Sequence, residues 1–135
     1  GVIHRFPGER GNIMKKNVSN YTSEEKIEAV RIEKNLSIGG IRAKSFSVLG
    51  HPFGMSIRRF GIVPELDEFE ELIKECIENE VIFEVNLRYH IKIIDELILL
   101  LEKFGAQWTI GSNSHSKNEL KNIWEKFKLN YKFIK

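Results

Sequence analysis

Residues 81–110, VIFEVNLRYHIKIIDELILLLEKFGAQWTI, decide the fold. Val81 to Val85 is a short run of β-branched and aromatic residues, the composition of a buried strand. Ile91, Ile94, Leu97, Ile98 and Leu101 then recur at helical spacing, and Gly105 stands where a left-handed C-cap belongs. Gln107 to Ile110 reads as a second strand. Strand, helix and strand in close succession imply two parallel strands joined by a helical crossover, because parallel neighbours need a long connection.

The alternation extends in both directions. Upstream, Asp67 to about Glu78 predicts a helix with Phe69, Leu72, Ile73, Cys76 and Ile77 on one face. Phe46 to Gly50 predicts a strand, followed by a long loop from His51 to Pro64. Thr22 with Glu25 forms a capping box, opening a helix that runs to about Leu36 on a thin stripe of Ala29, Ile32 and Leu36. Gly39–Gly40 then reads as a turn that breaks the chain, and Gly1 to His4 as the tail of a first strand. Downstream, Ser116 and Glu119 open a helix on Leu120, Ile123, Trp124 and Phe127, and Leu129 to Ile134 closes the pattern as a strand. The expectation is one α/β domain over residues 1–135, with alternating parallel strands and helices. Five such strands do not close a parallel barrel, so the sheet is either open or part of a barrel.

Composition bounds the function. The 135 residues are 41% hydrophobic and 30% charged, ordinary for one globular domain. A net charge of +2 gives no electrostatic case for nucleic acid or a membrane surface. The most apolar segment, Ile91 to Leu101, is too short and too charged (Lys92, Asp95, Glu96) to span a bilayer. No signal-peptide pattern opens the chain, and its start on Gly1 suggests a cut or processed N-terminus. The single cysteine, Cys76, excludes an internal disulfide and falls on a helix stripe as a small buried hydrophobe, which fits a reducing cytoplasm.

In parallel α/β folds the chemistry gathers at the C-terminal ends of the strands. His4, His51 of LGHPFG (49–54), Glu84 with Asn86, and Asn113 with His115 of GSNSH (111–115) all fall at such ends. Imidazoles and carboxylates converging on rigid supports are what a divalent cation needs. A histidine at a strand end is nonetheless more often a hydrogen-bonded structural residue, and no HxH, HExxH or CxxC pair supplies a local signature. His90 reads as a surface or loop residue. Glu84, flanked by Phe83 and Val85, needs a partner, and Arg88 is the nearest cation, a pairing that would make it structural. Arg5, Arg58, Arg59 and Arg88 place guanidinium groups in the loops of the same rim, suited to phosphate oxygens, although loop arginines are usually just solvated. Neither a phosphate-binding glycine loop nor a GxSxG elbow is present, and Trp108 and Trp124 fall on core positions.

HRFPGE (4–9), LGHPFGMSIRRF (49–60), EVNLRYH (84–90) and GSNSH (111–115), in that order across nearly the whole chain, together resemble the PHP superfamily, most closely its histidinol-phosphatase branch. The resemblance implies a distorted, TIM-like β/α barrel of which this chain is the C-terminal portion, with the family's opening HxH motif and early acidic ligand upstream. It implies hydrolysis of small phosphorylated substrates with divalent metal ions (manganese, zinc or iron), and a place in histidine biosynthesis. By motif, His4, His51, Asn113 and His115 correspond to metal ligands, Arg5 and Arg59 to phosphate contacts, and Glu84 to the acidic residue of the EVN strand. The family carries aspartate at the position of Asn113, and an amide is a neutral, poorer ligand. With part of the ligand set upstream, weak or no activity is expected of these 135 residues alone. The rival expectation is a non-catalytic phosphate-binding or interaction module, completed by self-association or by the missing N-terminal half at the open sheet edges. A nuclease of the same superfamily fits the near-neutral charge less well.

Overall fold

The computed structural model describes residues 21–112 together with 117, 118, 121, 122 and 125. Three strands, β1 (Val48–Leu49), β2 (Ile82–Asn86) and β3 (Trp108–Gly111), form a wholly parallel sheet in that order. Leu49 is opposite Phe83, Phe83 opposite Trp108, and Asn86 opposite Gly111. The helices are α1 (Ser23–Arg42), α2 (Gly54–Arg59), α3 (Leu66–Glu78) and α4 (Ile94–Phe104), the last preceded by a 3-10 turn at Ile91–Ile93. The protein is thus α/β, and the crossover expected between Val85 and Gln107 is α4, closed by Gly105 in the left-handed conformation (φ 67°). The expected strands at residues 1–4 and 129–134, and the core position of Trp124, lie outside the described residues.

Strand alternation divides the two faces of β2. Phe83 and Val85 enter the core, while Glu84 and Asn86 take the opposite face. Phe69, Leu72, Ile73 and Cys76 of α3, with Ile94, Leu97, Ile98 and Leu101 of α4, complete that core, as their spacing requires. Cys76 is 1% exposed, and its burial pushes the thiol up to about 12. Trp108 is half-buried at the edge of the core, because its indole N–H reaches out to Glu102 Oε1 at 2.9 Å. Among the described residues no helix is long and apolar enough to cross a membrane.

Two sequence expectations need correction. Gly39–Gly40 does not break the chain: α1 runs through both glycines to Arg42. Its capping box forms as expected, with Glu25 N–H donating to Thr22 Oγ1 and Thr22 N–H to Glu25 Oε1, each at 3.1 Å. Beyond the glycines, Ile41 is fully buried and Arg42 pairs with Glu75 of α3, and this docking outweighs the poor helix propensity. The buried face of α1 is Ala29, Val30, Glu33, Ser37 and Ile41, whereas Leu36 is 40% exposed. Two polar residues on that face shift it off the stripe that hydrophobicity alone indicates.

The glycines differ. A Cβ on Gly39 meets nothing within 4 Å, but one on Gly40 would lie 2.6 Å from the Phe46 ring. Gly39→Ala should therefore stabilise the protein by about 0.5–1 kcal/mol. Gly40→Ala should forfeit that gain, since the ring must move from its place against the core. Urea midpoints of the two variants measure the contrast; equal stabilisation of both would contradict it.

The second correction concerns residues 51–64, expected as an open loop, which contain α2. Phe53, the residue before the helix, is fully buried with a left-handed backbone (φ 62°) and stacks edge-on against Phe69 at 4.9 Å. Left-handed φ in a bulky residue is costly, and the buried ring is what holds it.

Candidate functional site

The C-terminal ends of the three strands bring three segments together. β1 delivers His51, β2 delivers Glu84 and Asn86, and β3 ends at Gly111. Glu84 Oε1 accepts the His51 backbone N–H at 2.9 Å and the Asn86 Nδ2–H at 3.1 Å. The carboxylate needed a partner, and these are two that it has. The other oxygen lies over Gly111, where a Cβ would come within 2.4 Å of Oε2. Gly111 is thus the clearance that lets the carboxylate lie across the end of β3.

His51 turns the chain sharply out of β1. Its φ is 29°, and its carbonyl accepts the Gly54 N–H at 2.8 Å. The imidazole folds back over Gly54, whose absent Cβ would lie 2.4 Å from Nδ1. The Tyr89 ring packs edge-on against the imidazole at 5.0 Å, and the Tyr89 hydroxyl accepts from Arg58 Nη1 at 3.2 Å. Arg58, His51 and Glu84 therefore belong to one continuous rim. Arg59, the candidate phosphate contact by motif, is exposed in the last turn of α2. Arg88 donates its backbone N–H to Asn86 Oδ1 at 3.0 Å, in the turn that leaves β2.

His90 is not a surface residue. It is fully buried, and it bridges two of the rim segments. Its Nδ1 accepts the Asn86 N–H at 2.8 Å, which fixes the proton on Nε2, and Nε2–H donates to the Pro52 carbonyl at 2.8 Å. Burial drives its pKa down to about 4, so the ring is neutral at physiological pH. The sequence carried no local sign of this role, because Pro52 is 38 residues away.

Glu33 was likewise missed. It is 2% exposed on α1, and its carboxylate accepts from Ser56 N (2.8 Å), Ser56 Oγ (2.8 Å) and Met55 N (3.2 Å) at the start of α2. Burial pushes its pKa up to about 7 against the pull of those hydrogen bonds. Its signal in the sequence was positional: Glu33 follows Ala29 by four residues and precedes Ser37 and Ile41 by four and eight.

His4, Arg5, Asn113 and His115 lie outside the described residues. Among the described residues no three His, Cys, Asp or Glu side chains gather as a group able to hold a metal ion. His51 and Glu84 supply an imidazole and a carboxylate from adjacent strand ends, a donor pair that suits a divalent cation in kind. No family model, no curated protein and no solved structure matches the chain.

Proposed function

We propose that this chain forms part of a divalent-metal phosphoesterase centre on a distorted β/α barrel of the PHP type, with a small phosphomonoester related to histidinol phosphate as substrate. One observation carries the reading. The carboxylate of Glu84 sits at the end of the central strand, bonded to the backbone of His51 and lying over Gly111. His51 and Glu84 thus come from adjacent strand ends, and in the sequence Asn113 and His115 follow Gly111 by two and four residues. A cation bound there would draw charge from a phosphoryl oxygen and make water a better nucleophile. His51 and Glu84 would hold it, with His4, Asn113 and His115 completing the set. Asn86 orients the Glu84 carboxylate, and the His90 bridge fixes the turn that presents His51. Arg58 and Arg59, and Arg5 by motif, would neutralise phosphate charge.

Metal retention tests this. After incubation with manganese or zinc and removal of the excess, elemental analysis should find more bound metal in Asn113→Asp than in the native chain, since a carboxylate replaces an amide among the ligands. Loss of His51 or Glu84 from the Asn113→Asp form should then release it. If neither the native chain nor Asn113→Asp retains metal, the reading fails.

A further inference from the structure

α2 carries Arg58 and Arg59, two of the arginines of this rim, but its N-cap residue makes no side-chain cap bond. The residue at its start, Phe53, is apolar and left-handed, so the first N–H groups of the helix need an acceptor from elsewhere. That acceptor is Glu33, reaching from α1 to take the Met55 and Ser56 N–H groups and the Ser56 hydroxyl. Three sets of contacts follow from the same junction. Met55 and Phe60 pack with Tyr21 and Ala29, Ile62 N–H returns to Ser56 O at 3.0 Å, and Arg58 reaches Tyr89 beside His51.

We infer that Glu33 is the positioning residue of the anion-binding rim: by capping α2 from α1 it holds Arg58 next to Tyr89 and His51, where a tetrahedral oxyanion would be bound. This rests on the phosphate reading of the rim. Glu33 touches no substrate; it acts through α2.

The anchor is coupled to protons. Docked against α2, Glu33 is buried and its pKa stands near 7; released into water it would return towards 4.5. The docked form therefore binds the proton more tightly, and raising the pH through this window favours release of α2. The charged and titratable groups of the packed elements bond other partners or are exposed to water. Arg31 pairs with Glu28, Lys34 with Glu68 and Glu71, Arg58 bonds Tyr89, Arg59 is exposed, and Tyr21 stacks on Phe60. Desolvation and the bonds from Met55 and Ser56 account for the shift of Glu33.

The test uses the full chain with sulfate as the probe, because sulfate keeps its charge across neutral pH where phosphate does not. Glu33→Ala should unprotect the amides of residues 55 and 56 in hydrogen exchange, move the Tyr89 ring signals in NMR spectra, and weaken sulfate binding about tenfold. Glu33→Gln keeps an acceptor for Ser56 and should restore most of the affinity. The native protein should bind sulfate less tightly at pH 8 than at pH 6 by a larger factor than Glu33→Gln, a comparison in which histidine titration cancels. Protected amides in Glu33→Ala, or unprotected amides with native sulfate affinity and native Tyr89 signals, would overturn the inference. If Glu33→Ala does not fold, the native and Glu33→Gln pH profiles decide, and identical profiles overturn it. If the native protein binds no sulfate, the phosphate reading fails by itself. The Tyr89 signals then settle the positioning: a shift in Glu33→Ala supports it and native signals refute it.

Discussion

His90→Ala is expected to destabilise the protein by about 3 kcal/mol. The substitution empties the space of a fully buried ring that packs against Phe69 and Phe83. It also leaves the Asn86 N–H and the Pro52 carbonyl without the partner that served both. Orphaned buried groups cost more than the bond that joined them contributed, so both terms act in the same direction. Urea denaturation at pH 7 measures the loss, and a change below about 1 kcal/mol would show that the turn holds without the bridge.

The loss should depend on pH. His90 titrates near 4 in the folded protein and near 6.5 when free, so between those values the unfolded chain binds more protons. Its stabilising contribution is complete above about 6.5 and is lost as pH falls towards 4. Glu33 acts in the opposite sense. Its pKa is raised from 4.5 to about 7, so its contribution is complete below 4.5 and is lost as pH rises through 7. The stability gap between native protein and His90→Ala should therefore narrow between pH 7 and pH 4.5, while Glu33 affects both proteins alike. A gap that stays constant over that range would mean the imidazole is not held neutral.

Gly111→Ala is the second large effect. The new Cβ would lie 2.4 Å from Glu84 Oε2 and 2.5 Å from its Cδ, well inside contact distance. The carboxylate must move, and with it go the bonds from His51 N–H and Asn86 Nδ2. The cost is about 2 kcal/mol in stability, the usual size for overpacking with loss of hydrogen bonds. Retention of manganese by the Asn113→Asp form should fall at least about tenfold, since the hydrogen bonds that orient a ligand set affinity on that scale. A double-mutant cycle isolates the cause. In a Glu84→Ala background the alanine at 111 has no carboxylate to displace, so Gly111→Ala should cost little there. Equal costs in the two backgrounds would place the damage in the β3 backbone instead.

The sequence revealed those parts of the fold whose signals are local. The capping box at Thr22 and Glu25, the stripe of α3 and the C-cap at Gly105 each lie within a few residues, and each formed as read except that Ile77, at the end of the stripe, is 40% exposed. The parallel direction of the strands followed from the alternation, and it put His51 and Glu84 at C-terminal strand ends on one rim; that their strands are neighbours is seen only in the structure. What escaped was set by contacts between distant segments. α2 begins on a left-handed phenylalanine and is capped from α1, so neither its start nor its cap is visible in residues 51–60. His90 is buried because Pro52 and Asn86 share it. Gly39–Gly40 looked like a break because propensity is local, whereas the docking of Ile41 and Arg42 is not.

The chain's single thiol offers a practical handle. Cys76 is walled in by the core, and burial pushes its thiol up to about 12, so at neutrality it is held as the unreactive thiol. Electrophilic dyes and spin labels will pass it by. A cysteine introduced on an exposed turn, such as the end of α2 at Arg59, would then be the only accessible thiol among the described residues. Fluorophores or paramagnetic tags can be attached there without first removing the native sulfur.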